Sequence, residues 1–304
     1  MIVKKSSAAI LSLSMAAGLA LATIPGVAIA DDGPTDRALS TFREVAPDHV
    51  ANAVAPEAAL STSLDDTTAT VSEEAITIKS DAGTVSLVAP QETEGVEYQP
   101  VLMDGGSALI AIVIDSPAAG DVFEFKTLAS DESQAKVLED GSVLFTGSDG
   151  SFKGGLATPW ARDSKGNDIP TRFEVTDANT IRQHVDLANV ASDAYPVVAD
   201  PWLGAELYGR VYVTNTSQGF IVTTRPSGWG AGYQGVGNIG MWWAHADEVK
   251  NKMPTPGNWS LSLQEQLYCH IAGWPVSANP DYDLESWKPQ IPWQDQAGSK
   301  CQSY

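Results

Sequence analysis

Cysteine, histidine and positive charge are all scarce in this chain. Of 304 residues, two are Cys, four are His and 18 are Lys or Arg, against 38 Asp or Glu, for a formal net charge of −20. Two cysteines exclude a disulfide-dense scaffold, and a closed tetrahedral metal site would need histidines beside them. His270 is the one histidine near them in sequence, but it adjoins Cys269, and adjacent ligands on a helix point apart. No metal site is expected. The acidic balance disfavours nucleic acid and anionic lipid, because a phosphate backbone is bound by neutralising it with Lys and Arg. Excess acid of this kind keeps a protein soluble and monomeric. Calcium has no D-x-[DN]-x-[DN]-G loop to bind. Beyond residue 30, no stretch approaches the roughly 20 apolar residues of a membrane span.

The first thirty residues read as an export signal. Lys4 and Lys5 give a positive start, an apolar run covers 8–22, and Pro25 and Gly26 end it. Ala28 and Ala30 then present small residues where a signal peptidase reads, which places cleavage before Asp31 and the mature protein outside the cell. The alternative is a retained anchor, for which the run is short and rich in Ser, Gly and Ala. In an exported protein Cys269 and Cys301 are expected to pair.

Composition divides the rest. Residues 31–200 carry 30 Asp/Glu and 10 Lys/Arg, whereas 201–304 carry 8 and 6. Eight of nine Trp and six of eight Tyr lie in the second part, so the boundary is expected at Asp200-Pro201. Within 31–65, Leu39, Phe42 and Val45 suggest a short amphipathic helix capped by Thr35, followed by an Ala-, Pro- and Ser-rich flexible arm. From 66 to 200 the period is two. "AITIKS", "ALIAIVID", "VFEFKTL", "SVLFTG", "TRFEVT" and "TIRQHVDL" read as strands, and Asp140-Gly141 as a two-residue hairpin turn. An acidic β-sandwich-like domain is expected, with His184 as an ordinary half-exposed strand residue.

Residues 201–304 read as a smaller α+β module: two strands, a loop with six glycines in fifteen residues (226–240), then helices over 241–253 and 262–271. Ser262 and Glu265 have capping-box spacing. The loop holds Gly230-x-Gly232-x-x-Gly235, the surface form of a dinucleotide fingerprint. It is rejected because a hairpin rather than a βαβ unit precedes it, so no cofactor is implied. The glycines instead let the chain pass close to Trp229 and Tyr233.

Weak catalytic candidates are His245, Glu248 and His270, a His/Glu/His set for acid–base or metal chemistry, although H-E-x-x-H is not present. Asp281, Asp283 and Glu285 alternate in "DYDLE" and would serve glycoside chemistry only if they faced one another across a cleft. No serine nucleophile elbow appears. The aromatics are the stronger signal. Trp229, Tyr233, Trp242, Trp243, Trp274 and Trp287 offer flat faces for sugars or protein partners, or else build a core poor in aliphatics.

At "YPVVADPW", residues 195–202, the chain resembles a phrase that recurs in exported actinobacterial proteins ahead of a C-terminal module. The module over roughly 200–304 is similar to the family called domain of unknown function 2599, through Gln266, Leu267, Cys269 and His270 and through Leu284, Glu285, Trp287 and Pro289. The resemblance implies a secreted bacterial protein and carries no activity. The expectation is a non-catalytic module that binds a cell-envelope glycan or protein. The alternatives are an extracellular hydrolase or a secreted antagonistic protein.

Overall fold

The computed structural model describes residues 34–54, 61–129, 133–177, 179–273 and 281–301. The expected export signal, residues 1–30, and Trp274 lie outside them. The fold is mainly β, as the alternating segments require, and it is built as two sheets facing one core.

The first sheet is antiparallel, in the order Ser61–Leu64, Thr67–Val71, Ala75–Ser80, Gly83–Val88, Val122–Ala129, Thr180–Val185 and Thr171–Asp177. The second centres on Ser107–Ile114. Val96–Met103 pairs one edge of that strand, and Val197–Asp200 and Trp202–Gly204 pair the other. Ile76, Ile78, Leu87, Phe123, Phe125 and Ile181 of the first sheet meet Ile110, Ile112, Phe145, Leu156 and Val197 of the second. Each such buried side chain contributes about 1.5–3 kcal/mol.

Ser107–Ile114 is buried at every position. Its even-numbered residues enter the sandwich core, while Leu109, Ala111 and Val113 face a second cluster. That cluster is completed by helix α1, Pro34–Val45, through Ala38, Leu39 and Phe42. A strand covered on both faces needs an unbroken apolar run, and "ALIAIVI" is one. Residues 34–54, expected as part of a flexible arm, are therefore a packed layer. Thr35 lies inside the helix rather than capping it. Asp140-Gly141 does close a hairpin, but through a three-residue turn: Leu138 pairs with Ser142, and Gly141 takes φ +87°.

The aromatic third adds an antiparallel sheet, Tyr208–Asn215, Phe220–Pro226 and Tyr282–Glu285, with helices α2 (Gly228–Ala231), α3 (Trp242–Lys252), α4 (Leu261–Ala272) and α5 (Trp293–Ala297). Cys269 on α4 is bonded to Cys301, as expected. The helix cap differs from expectation. Ser260, not Ser262, accepts the Leu263 N–H, and the Ser262 hydroxyl donates to the Lys288 carbonyl. Asp200-Pro201 is not a seam in the sheet. Val197–Asp200 and Trp202–Gly204 run along the same edge of Ser107–Ile114, and the Pro201 carbonyl accepts the Ile110 N–H at 3.1 Å.

Candidate functional site

The aromatic side chains chosen from sequence mostly build a core. Trp229, Tyr233 and Trp242 are buried. Trp202, Trp243, Trp259 and Trp293 pack against the same cluster, which also takes in Leu144 and Ala157 of the sandwich. Glycine makes this possible. A Cβ on Gly204 would stand 2.4 Å from the Trp229 ring, and one on Gly155 would stand 2.1 Å from the Tyr233 hydroxyl. That hydroxyl donates toward two sandwich carbonyls, Val143 (2.7 Å) and Leu156 (2.5 Å). Gly230 of α2 does the same at Leu207, whose carbonyl lies 2.0 Å from the Cβ it lacks. So the glycines allow close passage, as expected, but the ones that admit Trp229 and Tyr233 lie on strands far away in sequence. Trp287 is half-buried beside Gly219.

His245, Glu248 and His270 do not form one site. His245 has no exposed surface. Its Nε2–H donates to the Tyr233 carbonyl (3.2 Å), and its Nδ1 accepts from the Tyr208 hydroxyl (3.0 Å). Burial pushes its pKa down to about 4, so the ring is a neutral structural link. His270 stacks on Tyr282, with ring centres 4.6 Å apart, and burial pushes it down to about 4 as well. Glu248 accepts the backbone N–H groups of Leu207 (3.0 Å) and Tyr208 (2.7 Å). Burial drives its carboxyl up to about 8, against the pull of those two amides. Among the described residues no group of three or more His, Cys, Asp or Glu is arranged to hold a metal ion. The alternating carboxylates are also engaged. Asp281 pairs with Arg225, Asp283 accepts from Thr223 (2.6 Å), and Glu285 pairs with Lys288 (3.0 Å).

Another arrangement emerges beside Glu248. Helix α3 sends Trp242, His245, Ala246 and Val249 into the core. Its next two stripes, Trp243-Asp247-Asn251 and Ala244-Glu248-Lys252, line a cleft of about 450 Å³. The opposite wall comes from two sandwich turns, with Asp65 and Asp66 on one and Asp81 and Ala82 on the other, and from Phe152, Lys153 and Glu206. The ammonium of Lys252 sits in this wall. It contacts Glu206, Asp65 (2.8 Å), Glu248 (3.2 Å) and the Tyr208 carbonyl (2.5 Å). Thr67 donates to the other Glu206 oxygen (2.6 Å). Lys153 donates to the Ala82 carbonyl. The indole N–H of Trp243 donates to the Gly240 carbonyl (3.1 Å), which fixes the ring at the cleft.

Sequence reasoning reached Trp243 and Glu248 but not the cleft. Its acids come from positions 65, 66, 81, 206, 247 and 248, and only the fold joins them. The one advance signal was the surplus of acid itself. Among the described residues no helix is long and apolar enough to cross a membrane. No protein-family model, curated protein or solved structure matches the chain.

Proposed function

We propose that this is a secreted, non-catalytic binding protein that works at or near the bacterial cell envelope, with the α3 cleft as its ligand site. The observation that carries the reading is the cleft itself: a concave surface of about 450 Å³ with an anchored indole, Trp243, on one wall. The positive start, apolar run and small-residue site of residues 1–30 support export. The likeness of 200–304 to the domain of unknown function 2599, and an actinobacterial source, belong to the same proposal.

A hydrolase using His245, Glu248 and His270 is disfavoured, because a general base must come within hydrogen-bond reach of its substrate and His245 is sealed in the core. An antagonistic protein released from its acidic part is disfavoured too. Release would break both Tyr233 hydroxyl bonds and expose Trp229.

Co-sedimentation of residues 31–304 with isolated bacterial cell walls tests the reading, with soluble sugar and peptide followed in the same tube. The expected result is retention without release. Trp243→Ala should lower retention, while His270→Ala and Trp287→Ala leave it intact. Release that stops in a folded His245→Ala variant would overturn the proposal in favour of hydrolysis. Trp242→Ala is a test of folding rather than of binding, since that ring is 2 % exposed.

A further inference from the structure

We infer that the α3 cleft takes a primary ammonium group carried on an aliphatic stem, such as a lysine side chain or a diamine. The inference rests on the cleft being the ligand site and names what enters it. Three features converge.

The first is a set of exposed carboxylates on separate elements. Asp66 lies on the turn after Ser61–Leu64, Asp81 on the turn after Ala75–Ser80, and Asp247 on α3. All three are exposed, and among the described residues none takes part in a salt bridge. At the mouth of a cleft they raise the local concentration of cations.

The second feature is that the wall already holds such a group. The Lys252 ammonium is seated on the carboxylates of Asp65 and Glu206 and on the Tyr208 carbonyl, with the Glu248 carboxyl beside it. It is an ammonium on a four-carbon stem, held by this same lining. The two lysines of the cleft offer an anion little, because Lys252 is engaged by carboxylates and Lys153 by the Ala82 carbonyl.

The third feature is the surface between the charges. The rings of Trp243 and Phe152 line the cleft, and the nearly buried Ala205 and Ala244 lie along it. An indole face attracts an ammonium, and the small apolar residues suit a methylene stem. A divalent metal ion would want three or more converging ligands, and the described residues present no such group.

The test is calorimetric and fluorescence titration of residues 31–304 with 1,5-diaminopentane, and with 1,5-pentanediol as the uncharged control. The diamine should bind and quench tryptophan emission, the diol should do neither, and added salt should weaken the diamine. Asp66→Asn, Asp81→Asn and Asp247→Asn should each weaken binding by about fivefold, and Trp243→Leu by a similar factor. These carboxylates are exposed and carry no salt bridge, so the Asn variants should melt with the parent. Equal binding by the parent and the Asp66→Asn/Asp247→Asn double variant overturns the inference. So does displacement of the diamine by equimolar calcium. Walls that retain the protein while the diamine fails to bind sink this inference and leave the proposed function standing. Diamine binding without wall retention supports the inference and sinks the envelope reading.

Discussion

The sandwich and the aromatic third bury their interiors by opposite means. The sandwich core is mostly aliphatic, with a few phenylalanines, and is assembled from ladders between neighbouring strands, with Ile, Leu and Val at alternate positions. The aromatic third has few such ladders. It fits large rings into notches left by glycine, and it uses buried polar groups as links: Tyr233 on two sandwich carbonyls, His245 on Tyr208, and Gln266 on the Glu285 backbone. An aliphatic core tolerates small changes of volume, because neighbouring side chains can repack. A ring in a glycine notch faces backbone, and backbone cannot step aside.

The difference can be broken most sharply at Gly155. It lies on a sandwich strand, yet its missing side chain serves Tyr233. A Cβ there would lie 2.1 Å from the Tyr233 hydroxyl and 2.2 Å from the Val143 carbonyl. Gly155→Ala should fail to yield folded protein, with the near-ultraviolet circular dichroism of the tryptophans lost. A folded variant with parental melting would show that the notch is not required.

Removing the disulfide should come next. Cys269→Ser/Cys301→Ser frees a closure spanning 32 positions and should cost about 3–4 kcal/mol in urea unfolding. Hydrogen exchange should accelerate in α4 more than in Ser107–Ile114. Uniform acceleration would mean that the two regions unfold as one unit.

Acid sharpens the comparison further. The His270 pKa is depressed, from 6.5 to about 4. Below pH 6.5 the unfolded chain therefore binds a proton that the folded chain refuses, and stability falls as the pH drops from 6.5 toward 4. His270→Phe keeps a ring against Tyr282 and removes the titration. It should recover on the order of 2 kcal/mol at pH 4 relative to pH 7, read from melting curves. An unchanged acid slope would mean that this ring is not held neutral. The smallest effect belongs to the aliphatic core, where Ile112→Val should cost about 1 kcal/mol and leave the near-ultraviolet spectrum alone.

The same contrast explains what could be read in advance. Strands such as Ala75–Ser80 and Thr180–Val185 announced themselves, because burial on one face imposes a period of two. Val96–Met103 was missed, since Pro100 interrupts its pattern. Phe152–Leu156 was missed because Gly154 and Gly155 erase the alternation for the sake of the Tyr233 side chain and the neighbouring strand at Gly204. Helices α3 and α4 of the last third were visible from their apolar spacing, whereas the short α2 and α5 and the roles of the rings were not. Trp229 and Trp243 look alike in sequence, but one is sealed behind Gly204 and the other lines the cleft. The His/Glu/His set looked chemical because His245 and Glu248 are neighbours on a helix. The helix points the first into the core and the second toward the Leu207 and Tyr208 amides. Charge asymmetry marked a change of composition at Asp200-Pro201, but composition follows which residues face water and need not follow hydrogen bonding.

The short strand Trp202–Gly204 bears on how such a chain could be cut and rejoined during descent. A crossover at Asp200-Pro201 would hand the sandwich a foreign edge beside Leu109, and it would separate Gly204 from the two-glycine run at 154–155 that it lies against. A viable exchange has to carry the lineage of the sandwich through Gly204, a few positions past the place where the acid runs out.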